Sequence, residues 1–426
     1  MAEADDLPPE GRDSEAEGRQ GPGPGTDWQS GLWEPAFAGG AEAADGLSRR
    51  HFLRQLGLAA GCLCGLPNLS EKLFCAATAT PGTASGKSPL RMARASWWKP
   101  IGDERVQCEL CPKECKVGNR ERGFCGVREN RGGVYYTLVY GSVAAANPDP
   151  IEKKPFFHFL PGSRAFSIAT AGCNMNCRAC QNWELSQSRP EQVPSVSLSP
   201  AELALRARQA GCESIAYTYN EPVIYWEYVR DAAAAGRKQG VRSVVVSNGY
   251  IKPQPLLDAL PNLDAVKIDF KAMSEDFYRR YCSGTLKPVL DTLLLLKRKG
   301  MWTEIVYLVI PTLNDSAAEI EATCRWVRDN LGRDVPLHFS RFYPQYQLKH
   351  LPPTPVATLE RCYKIGRQVG LHYVYVGNVP GSAAEHTYCP GCGRAVIERR
   401  GFTVIANRLR DGRCSNCGKA IPGVWK

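Results

Sequence analysis

The chain has 426 residues, of which 43% are hydrophobic and 23% charged, and this composition excludes wholesale disorder. The 53 Lys and Arg outnumber the 43 Asp and Glu, which gives a formal net charge of +10. No helix-turn-helix, RNA-recognition signature or Lys/Arg run accompanies this basic balance, so we predict no nucleic-acid partner. Eleven of the 18 cysteines fall into three tight clusters, and such spacing indicates bound metal far more often than disulfides.

Residues 1–80 lie before the first of the three cysteine clusters. Residues 1–47 hold eleven acidic groups and two arginines, are rich in Gly, Pro and Ala, and predict a disordered acidic leader. In residues 48–80, a twin arginine at Arg49-Arg50 precedes a short apolar run and small residues, which resembles a twin-arginine export signal. A chance apolar helix is the alternative. The run is too short to cross a bilayer, so we predict no stable transmembrane span.

Short β-rich runs alternate with amphipathic helical segments between residues 160 and 380. The predicted strands are 166–169, 214–219, 243–247, 265–270, 305–310, 337–342 and 372–376, and the predicted helices include 200–209, 222–237, 289–298 and 317–330. Repeated strand–helix–strand units predict an α/β fold with parallel strands and right-handed crossovers. A doubly wound sheet and a (β/α) barrel are the two architectures that fit.

The central cysteine cluster follows the first of these strands. It runs Cys173-Asn174-Met175-Asn176-Cys177-Arg178-Ala179-Cys180. Three thiolates can hold three irons of a cubane and leave the fourth iron without a protein ligand. A zinc site with its fourth ligand elsewhere is the alternative. An open coordination position is typical of a catalytic centre.

This motif resembles a known family. Cys-x3-Cys-x2-Cys after the first strand of a (β/α) chain is the signature of radical S-adenosylmethionine (SAM) enzymes. Residues 172–183 are similar to the branch related to glycyl-radical-enzyme activases, and more closely to the radical SAM component of the AmmeMemoRadiSam system. Residues 136–141, 149–155 and 377–381 agree with that resemblance, which spans roughly residues 100–420.

The resemblance implies a partial (β/α)6 TIM-like barrel of the radical SAM type, spanning residues 160–380, with a [4Fe-4S] cluster that binds SAM. A low-potential electron donor would reduce the cluster, and SAM would break to methionine and a 5′-deoxyadenosyl radical that abstracts hydrogen. By analogy with activases, the substrate is expected to be a protein, Memo-like or AMMECR-like. Radical modification of a small molecule and a non-catalytic Fe-S redox or scaffold protein are the alternatives.

Further SAM contacts are expected where later strands end. Glu221-Pro222 is what remains here of the family's Gly-Gly-Glu-Pro, because Tyr219 and Asn220 replace the glycines. The other candidates for SAM contacts lie at the ends of later strands, some of them in stretches that are similar to activase motifs. The candidate cofactor-binding residues are Glu221, Ser247, Asn248, Asp269, Lys271 and Arg341. Activases usually carry a histidine near the position of Tyr343, and the nearest one here is His338. Each polar group also has a simpler explanation as a helix cap or turn residue.

Two small four-cysteine modules flank the predicted barrel. In residues 100–135, Cys108, Cys111, Cys115 and Cys125 form a closed set that suits structural zinc or an auxiliary [4Fe-4S] cluster. We favour zinc, because classical activases carry extra clusters inside the barrel region. In residues 385–426, two Cys-x2-Cys-Gly knuckles indicate a zinc ribbon, with mononuclear iron as the rival. These ligands are Cys389, Cys392, Cys414 and Cys417.

Four cysteines stand alone in the barrel region. Cys212, Cys324 and Cys362 are expected to be small buried hydrophobes. Cys282 lies in a predicted loop, and it is a candidate radical relay or redox partner. Because SAM and strong reductants are cytoplasmic, we expect a cytoplasmic or inner-membrane-associated enzyme, with a periplasmic location as the alternative that the export-type signal raises.

Overall fold

The structure, a computed structural model, describes residues 92–426. The predicted leader and export-type signal lie outside these residues. An eight-stranded sheet occupies the centre of the described part. Its strands are β1 Ala145–Pro150, β2 Arg164–Ala169, β3 Ser214–Tyr217, β4 Arg242–Ser247, β5 Ala265–Phe270, β6 Trp302–Val309, β7 Leu337–Arg341 and β8 Val374–Gly377.

Strands β2 to β8 are parallel and lie side by side in chain order, while β1 pairs with β2 in the antiparallel sense. A doubly wound sheet reverses its strand order at a switch point, and this sheet does not, so the barrel-type alternative is correct. Within the described residues β1 and β8 each pair with one strand only, so the barrel is partial. All seven predicted strands belong to this sheet, with ends shifted by a few residues.

A helix follows each of the strands β2 to β7, which makes six βα units before β8. These helices are α1 Pro200–Gln209, α2 Trp226–Lys238, α3 Pro253–Ala259, α4 Leu286–Arg298, α5 Ala317–Asn330 and α6 Val356–Val369. Helix α1 begins where the Ser199 hydroxyl accepts from the Glu202 N–H, in a capping box, and α6 ends at Gly370 with φ of 100°. The helix predicted over 222–237 is divided into a 3-10 turn, Pro222–Tyr225, and α2.

Short strands and the turns between them form the regions before and after the barrel that contain the four-cysteine groups. Before it lie Ala93–Arg94, Trp98–Pro100, Val106–Cys108, Lys116–Val117, Arg128–Arg131, Val134–Thr137 and Ser142–Val143, and after it lie Thr387–Tyr388, Ala395–Arg400, Thr403–Asn407, Leu409–Arg410 and Arg413–Cys414. Smaller elements are Trp183–Ser186, Val196–Ser197, Glu275–Phe277, and the helical turns Ile151–Lys153, Pro190–Gln192, Leu260–Asn262, Tyr278–Cys282, Tyr346–Leu348 and Ala383–Glu385. None of the helices in residues 92–426 has the length and apolar character needed to cross a bilayer.

A buried carboxylate joins the barrel to the segment before β2. Glu304 on β6 is fully buried and accepts hydrogen bonds from the N–H groups of Phe157 (2.9 Å) and His158 (2.8 Å). It also pairs with His338 Nε2 at 2.8 Å. Burial by itself raises the pKa of Glu304, but the two histidines outweigh it and the pKa is lowered. Near this network, Arg399 of the C-terminal module donates to the Phe157 carbonyl at 2.6 Å.

Replacing Glu304 with alanine is expected to lower the free energy of unfolding by about 3–5 kcal/mol, because its partners would be left buried and unpaired. The matched control is Glu321→Ala, whose carboxylate forms an exposed pair with Arg325 and whose loss should change the free energy by about 0.5 kcal/mol or less. Urea denaturation of the two variants measures the difference. Equal effects would contradict the structural role assigned to Glu304.

Candidate functional site

The cysteine loop begins directly after β2 and is shaped by one glycine. Gly172 has φ of +92°, and a Cβ on it would lie 2.6 Å from the carbonyl oxygen of Cys125 and 2.7 Å from Val127 Cγ1. The Gly172 N–H donates to the Leu185 carbonyl at 2.9 Å. A side chain at this position would therefore displace either the cysteine loop or the N-terminal module that contacts it.

The loop is docked on a helical turn that follows β5. The N–H of Asn176 donates to the carbonyl of Cys282 at 3.1 Å, and the N–H of Arg178 donates to that of Tyr281 at 2.8 Å. These backbone bonds surround Cys177. They fix the direction in which the middle cysteine of the motif leaves the loop.

Glu221 ties together the ends of β3 and β4. Its Oε1 accepts from the Ser247 hydroxyl at 2.7 Å and the Val223 N–H at 3.1 Å, and its Oε2 accepts from the Asn248 N–H at 2.7 Å. Burial is the main cause that raises the pKa of Glu221 to about 7, and these hydrogen bonds oppose it. The structure thus brings three of the predicted SAM contacts together, with the Glu221 carboxylate bonded to protein donors.

An amide pair connects β4 to the cysteine loop. Asn248 Nδ2 donates to Asn174 Oδ1 at 2.8 Å, and Asn174 Nδ2 donates to the Tyr250 carbonyl at 2.8 Å. Asn174 directly follows Cys173 and was not among the predicted site residues. In the sequence, Asn174 is visible only as a polar residue inside the cysteine motif.

The two residues that replace glycines before Glu221 have defined roles. Tyr219 has φ of 66°, a conformation that glycine adopts more easily. Its hydroxyl donates to Asp149 Oδ2 at 2.6 Å, and Lys154 Nζ bonds the same oxygen at 2.5 Å. Asn220 Nδ2 donates to the Gly172 carbonyl at 2.9 Å. The side chains at 219 and 220 therefore hold a backbone turn and the cysteine loop in place.

Three residues of alternating charge, Lys267, Asp269 and Lys271, lie along the end of β5 and directly after it, near the cysteine loop. Asp269 Oδ1 lies 3.0 Å from Lys267 Nζ, and Oδ2 lies 3.4 Å from Lys271 Nζ. Burial opposes ionisation of Asp269, yet the two lysines lower its pKa to about 2. Burial also opposes protonation of Lys271, but Asp269 and the thiols of Cys177 and Cys282 raise its pKa. Lys267 was missed, although its two-residue spacing from Asp269 was a usable signal.

Arg341 and His338 on β7 make their contacts with residues outside the cysteine loop. Arg341 Nε donates to the Thr354 carbonyl at 2.8 Å, and its guanidinium lies 5.1 Å from the ring centre of Tyr343. His338 is buried in its pair with Glu304 and stacks on Tyr375. His338 therefore belongs to the core network.

Cys282 is the last residue of the helical turn Tyr278–Cys282, and not a loop residue as the sequence suggested. It is buried, and its thiol lies beside that of Cys177. The interaction of the two thiols lowers the pKa of Cys177 and, together with burial, raises that of Cys282. Its proposed role as relay or redox partner stays a prediction. The other isolated thiols, Cys212, Cys324 and Cys362, are buried in the apolar core.

The C-terminal cysteines are arranged for one metal ion. The Sγ atoms of Cys389 and Cys417 are 3.5 Å apart, those of Cys392 and Cys414 are 3.7 Å apart, and all four lie within 4.8 Å of one another. A tetrahedral ion with metal–sulfur bonds of about 2.3 Å separates its ligands by about 3.8 Å. This group can bind a metal.

The three cysteines of the central loop fit a larger centre. They come from one loop at the carboxyl end of β2, with a lysine, Lys271, next to Cys177. The N–H of Met175 donates to Cys173 Sγ at 3.4 Å, a bond that suits a thiolate. Three thiolates with a nearby cation match the donor set of a cubane with one open iron.

Similarity to known proteins identifies the family of this chain. Residues 167–327 match the family described as the radical SAM superfamily. The uncharacterized protein MJ0808 of Methanocaldococcus jannaschii is 44% identical over 332 residues, which are 78% of this chain and 99% of that protein. The chain therefore belongs to the radical SAM superfamily, and its fold is the partial barrel of that superfamily.

Activating enzymes are more distant relatives. The (2S)-3-sulfopropanediol dehydratase activating enzyme of Klebsiella oxytoca is 24% identical over 53% of this chain and 71% of its own. The pyruvate formate-lyase 1-activating enzyme of Escherichia coli K12 is 23% identical over 49% of this chain and 91% of its own. Among solved structures, Streptococcus suis SuiB bound to S-adenosylmethionine is 11% identical with a TM-score of 0.41, covering 54% of this chain and 53% of that one.

Lys271→Ala tests the prediction that Lys271 binds the carboxylate of SAM. Loss of such a charge-assisted hydrogen bond, which contributes about 1.5–3 kcal/mol, is expected to weaken SAM binding about tenfold or more. Equilibrium binding of SAM to the cluster-loaded, oxidised protein gives the Kd. The control is Lys287→Ala, which removes an exposed lysine paired with Asp291. An unchanged Kd in both variants would restrict Lys271 to balancing the charge of Asp269.

The raised pKa of Glu221 predicts a pH-dependent stability. A folded-state pKa of about 7, above the ordinary value near 4.3, means that folding favours the protonated acid. The resulting stabilisation is complete below about pH 4 and is lost as the pH rises through 7. The free energy of unfolding of the reduced, metal-free protein should therefore fall between pH 5 and 7.5 more steeply in the wild type than in Glu221→Gln.

The control for this experiment is Glu321→Gln, which alters an exposed carboxylate on α5. Its pH profile should follow that of the wild type. If Glu221→Gln and the wild type have the same slope, the carboxyl of Glu221 does not titrate in this interval.

Proposed function

We propose that this protein reductively cleaves SAM and that the resulting 5′-deoxyadenosyl radical abstracts hydrogen from a protein partner. The observation that carries the proposal is the Cys173, Cys177 and Cys180 loop at the carboxyl end of β2, which supplies three thiolates and leaves a fourth iron position open. When bound, the [4Fe-4S] cluster supplies the electron that cleaves SAM. A low-potential electron donor is therefore required.

The chain's own residues bind and orient. Lys271 offers a cation for the SAM carboxylate, while Asp269 and Lys267 hold that ammonium in place. Ser247 and Asn248 contribute to the same edge of the sheet, where Glu221 braces them. Arg341 stands at the end of β7 as a candidate for a more distant part of SAM or the substrate. Most of these groups are buried, which helps to keep water from the radical.

Similarity to activating enzymes supports a protein substrate. The two named relatives above each activate another enzyme, according to their names. The resemblance of residues 172–183 to the AmmeMemoRadiSam branch points to a Memo-like or AMMECR-like partner. Because SAM and strong reductants are cytoplasmic, we place the reaction in the cytoplasm or at the inner membrane. For the C-terminal quartet we propose zinc, since its sulfur separations match a tetrahedral ion.

The test is an anaerobic assay for 5′-deoxyadenosine with the reduced, cluster-loaded protein and SAM. We expect formation by the wild type and a loss of at least about 100-fold in Cys177→Ala, which removes one cluster ligand. The matched control is Cys324→Ala, which alters a buried thiol in helix α5.

A reduced, fully loaded protein that yields no 5′-deoxyadenosine would contradict the proposal and favour a redox or scaffold protein. Stimulation by a purified Memo-like or AMMECR-like protein would support the activase-like reaction. Full activity with a small molecule and no protein would replace it with direct small-molecule modification.

A further inference from the structure

The N-terminal cysteines line one partly enclosed cavity. Cys108, Cys111, Cys115 and Cys125 contribute to its wall, together with apolar side chains from the module and from the 3-10 turn after β3. Cys108 and Cys111 are buried, and the other two are partly buried. Backbone N–H groups are directed at the sulfurs: that of Phe124 donates to Cys115 Sγ at 3.3 Å. The four thiols therefore line one cavity, and their role as ligands of a single site stays a prediction.

The sulfur separations distinguish this site from the C-terminal one. Across residues 92–426, the C-terminal quartet is the group of three or more Cys, His, Asp or Glu ligand atoms that all lie within 4.8 Å of one another, and the N-terminal sulfurs do not form such a group. A single tetrahedral ion needs sulfurs about 3.8 Å apart when its metal–sulfur bonds are about 2.3 Å. The same chain therefore holds one quartet at single-ion spacing and one quartet that is wider.

Two buried polar atoms in the cavity wall have no protein partner. Arg128 is 1% exposed and Tyr135 is 0% exposed, and both line the cavity. Arg128 forms a two-point ion pair with Glu227, but its Nε has no hydrogen-bond acceptor, and neither does the Tyr135 hydroxyl. Unpaired buried donors are costly unless something accepts from them. The inorganic sulfides of an iron–sulfur cluster are acceptors that a zinc ion lacks.

The cavity lies directly against the cysteine loop of the barrel. Asn174, the neighbour of Cys173, is part of its wall. The carbonyl of Cys125 touches the position where Gly172 lacks a Cβ. Lys113, between two of the N-terminal cysteines, bonds the carbonyl of Ser283, which follows Cys282. Short backbone segments near Gly172 and Ser283 therefore contact both the N-terminal module and the cysteine loop of the barrel.

We propose that Cys108, Cys111, Cys115 and Cys125 hold a second [4Fe-4S] cluster, which passes one electron to the cluster on Cys173, Cys177 and Cys180. An external low-potential, one-electron protein donor is oxidised by one electron as the N-terminal cluster is reduced. That cluster is reoxidised as the barrel cluster gains the electron, and no bond forms or breaks in the transfer. The presence of the second cluster does not depend on the proposed function. The electron transfer to the barrel cluster does rest on the proposed function. This assignment replaces the zinc that the sequence alone favoured.

The first test is the metal content of protein purified without air and without reconstitution from cells supplied with iron and zinc. We expect about eight irons per chain, against about four if only the barrel cluster is present. The variant Cys173→Ala/Cys177→Ala/Cys180→Ala should lose half of the iron, and Cys111→Ala/Cys125→Ala should lose the other half. Cys414→Ala/Cys417→Ala is the matched control and should keep all the iron while losing zinc.

Two zinc ions per chain, with iron absent from the triple variant, would overturn the assignment. Where a variant is unfolded by circular dichroism, the wild-type iron and sulfide count and its Mössbauer spectrum decide between one cluster and two. This count does not depend on SAM cleavage, so a protein with eight irons and no 5′-deoxyadenosine would contradict the proposed function alone.

The second test is electron paramagnetic resonance of the fully reduced protein. Two adjacent paramagnetic clusters broaden each other's signals and speed their relaxation. We expect these effects in the wild type and their loss in both cluster-deficient variants. Wild-type spectra that equal the sum of the two variant spectra would overturn the transfer between adjacent clusters.

Discussion

Parallel strands bring their carboxyl ends to one edge of a sheet, and the loops that leave this edge must satisfy one another's polar groups in the absence of water. In this protein a single carboxylate meets much of that demand. Glu221, which follows β3, accepts hydrogen bonds from Ser247 and Asn248 at the end of β4. An amide pair, Asn248 and Asn174, extends the connection to the cysteine loop. The position of the first cysteine therefore depends on side chains that come from β3 and β4.

Charge balance is the second organising feature of the site. Asp269, whose side chain is 33% exposed, is paired on both sides by lysines. One carboxylate between two ammonium groups leaves a net positive charge beside Cys177. That excess suits the three thiolates and the anionic cluster that we propose for this loop. Lys267 and Asp269 lie on β5, whose backbone is fixed by the sheet, and Lys271 directly follows that strand.

Local sequence patterns predicted the architecture well and the contacts incompletely. Alternating β-rich and amphipathic segments, and one cysteine motif, were enough for the barrel and its superfamily, because they are properties of neighbouring residues. Glu221 was expected to bind SAM, whereas its partners Ser247 and Asn248 lie some 26 residues further along the chain. The position of Cys282 beside Cys177, and the separation of the N-terminal sulfurs, depend in the same way on tertiary contacts that spacing does not encode.

The antiparallel strand at one side of the sheet has a consequence for self-association. Within residues 92–426 the sheet has two margins that pair with no further strand, and an unpaired strand margin can recruit another chain. β1, at one margin, contains Pro148 and Pro150, which have no N–H to offer. An approaching strand would find a broken ladder of donors there. The same residues that end this sheet thereby protect the protein from adding copies of itself along that side.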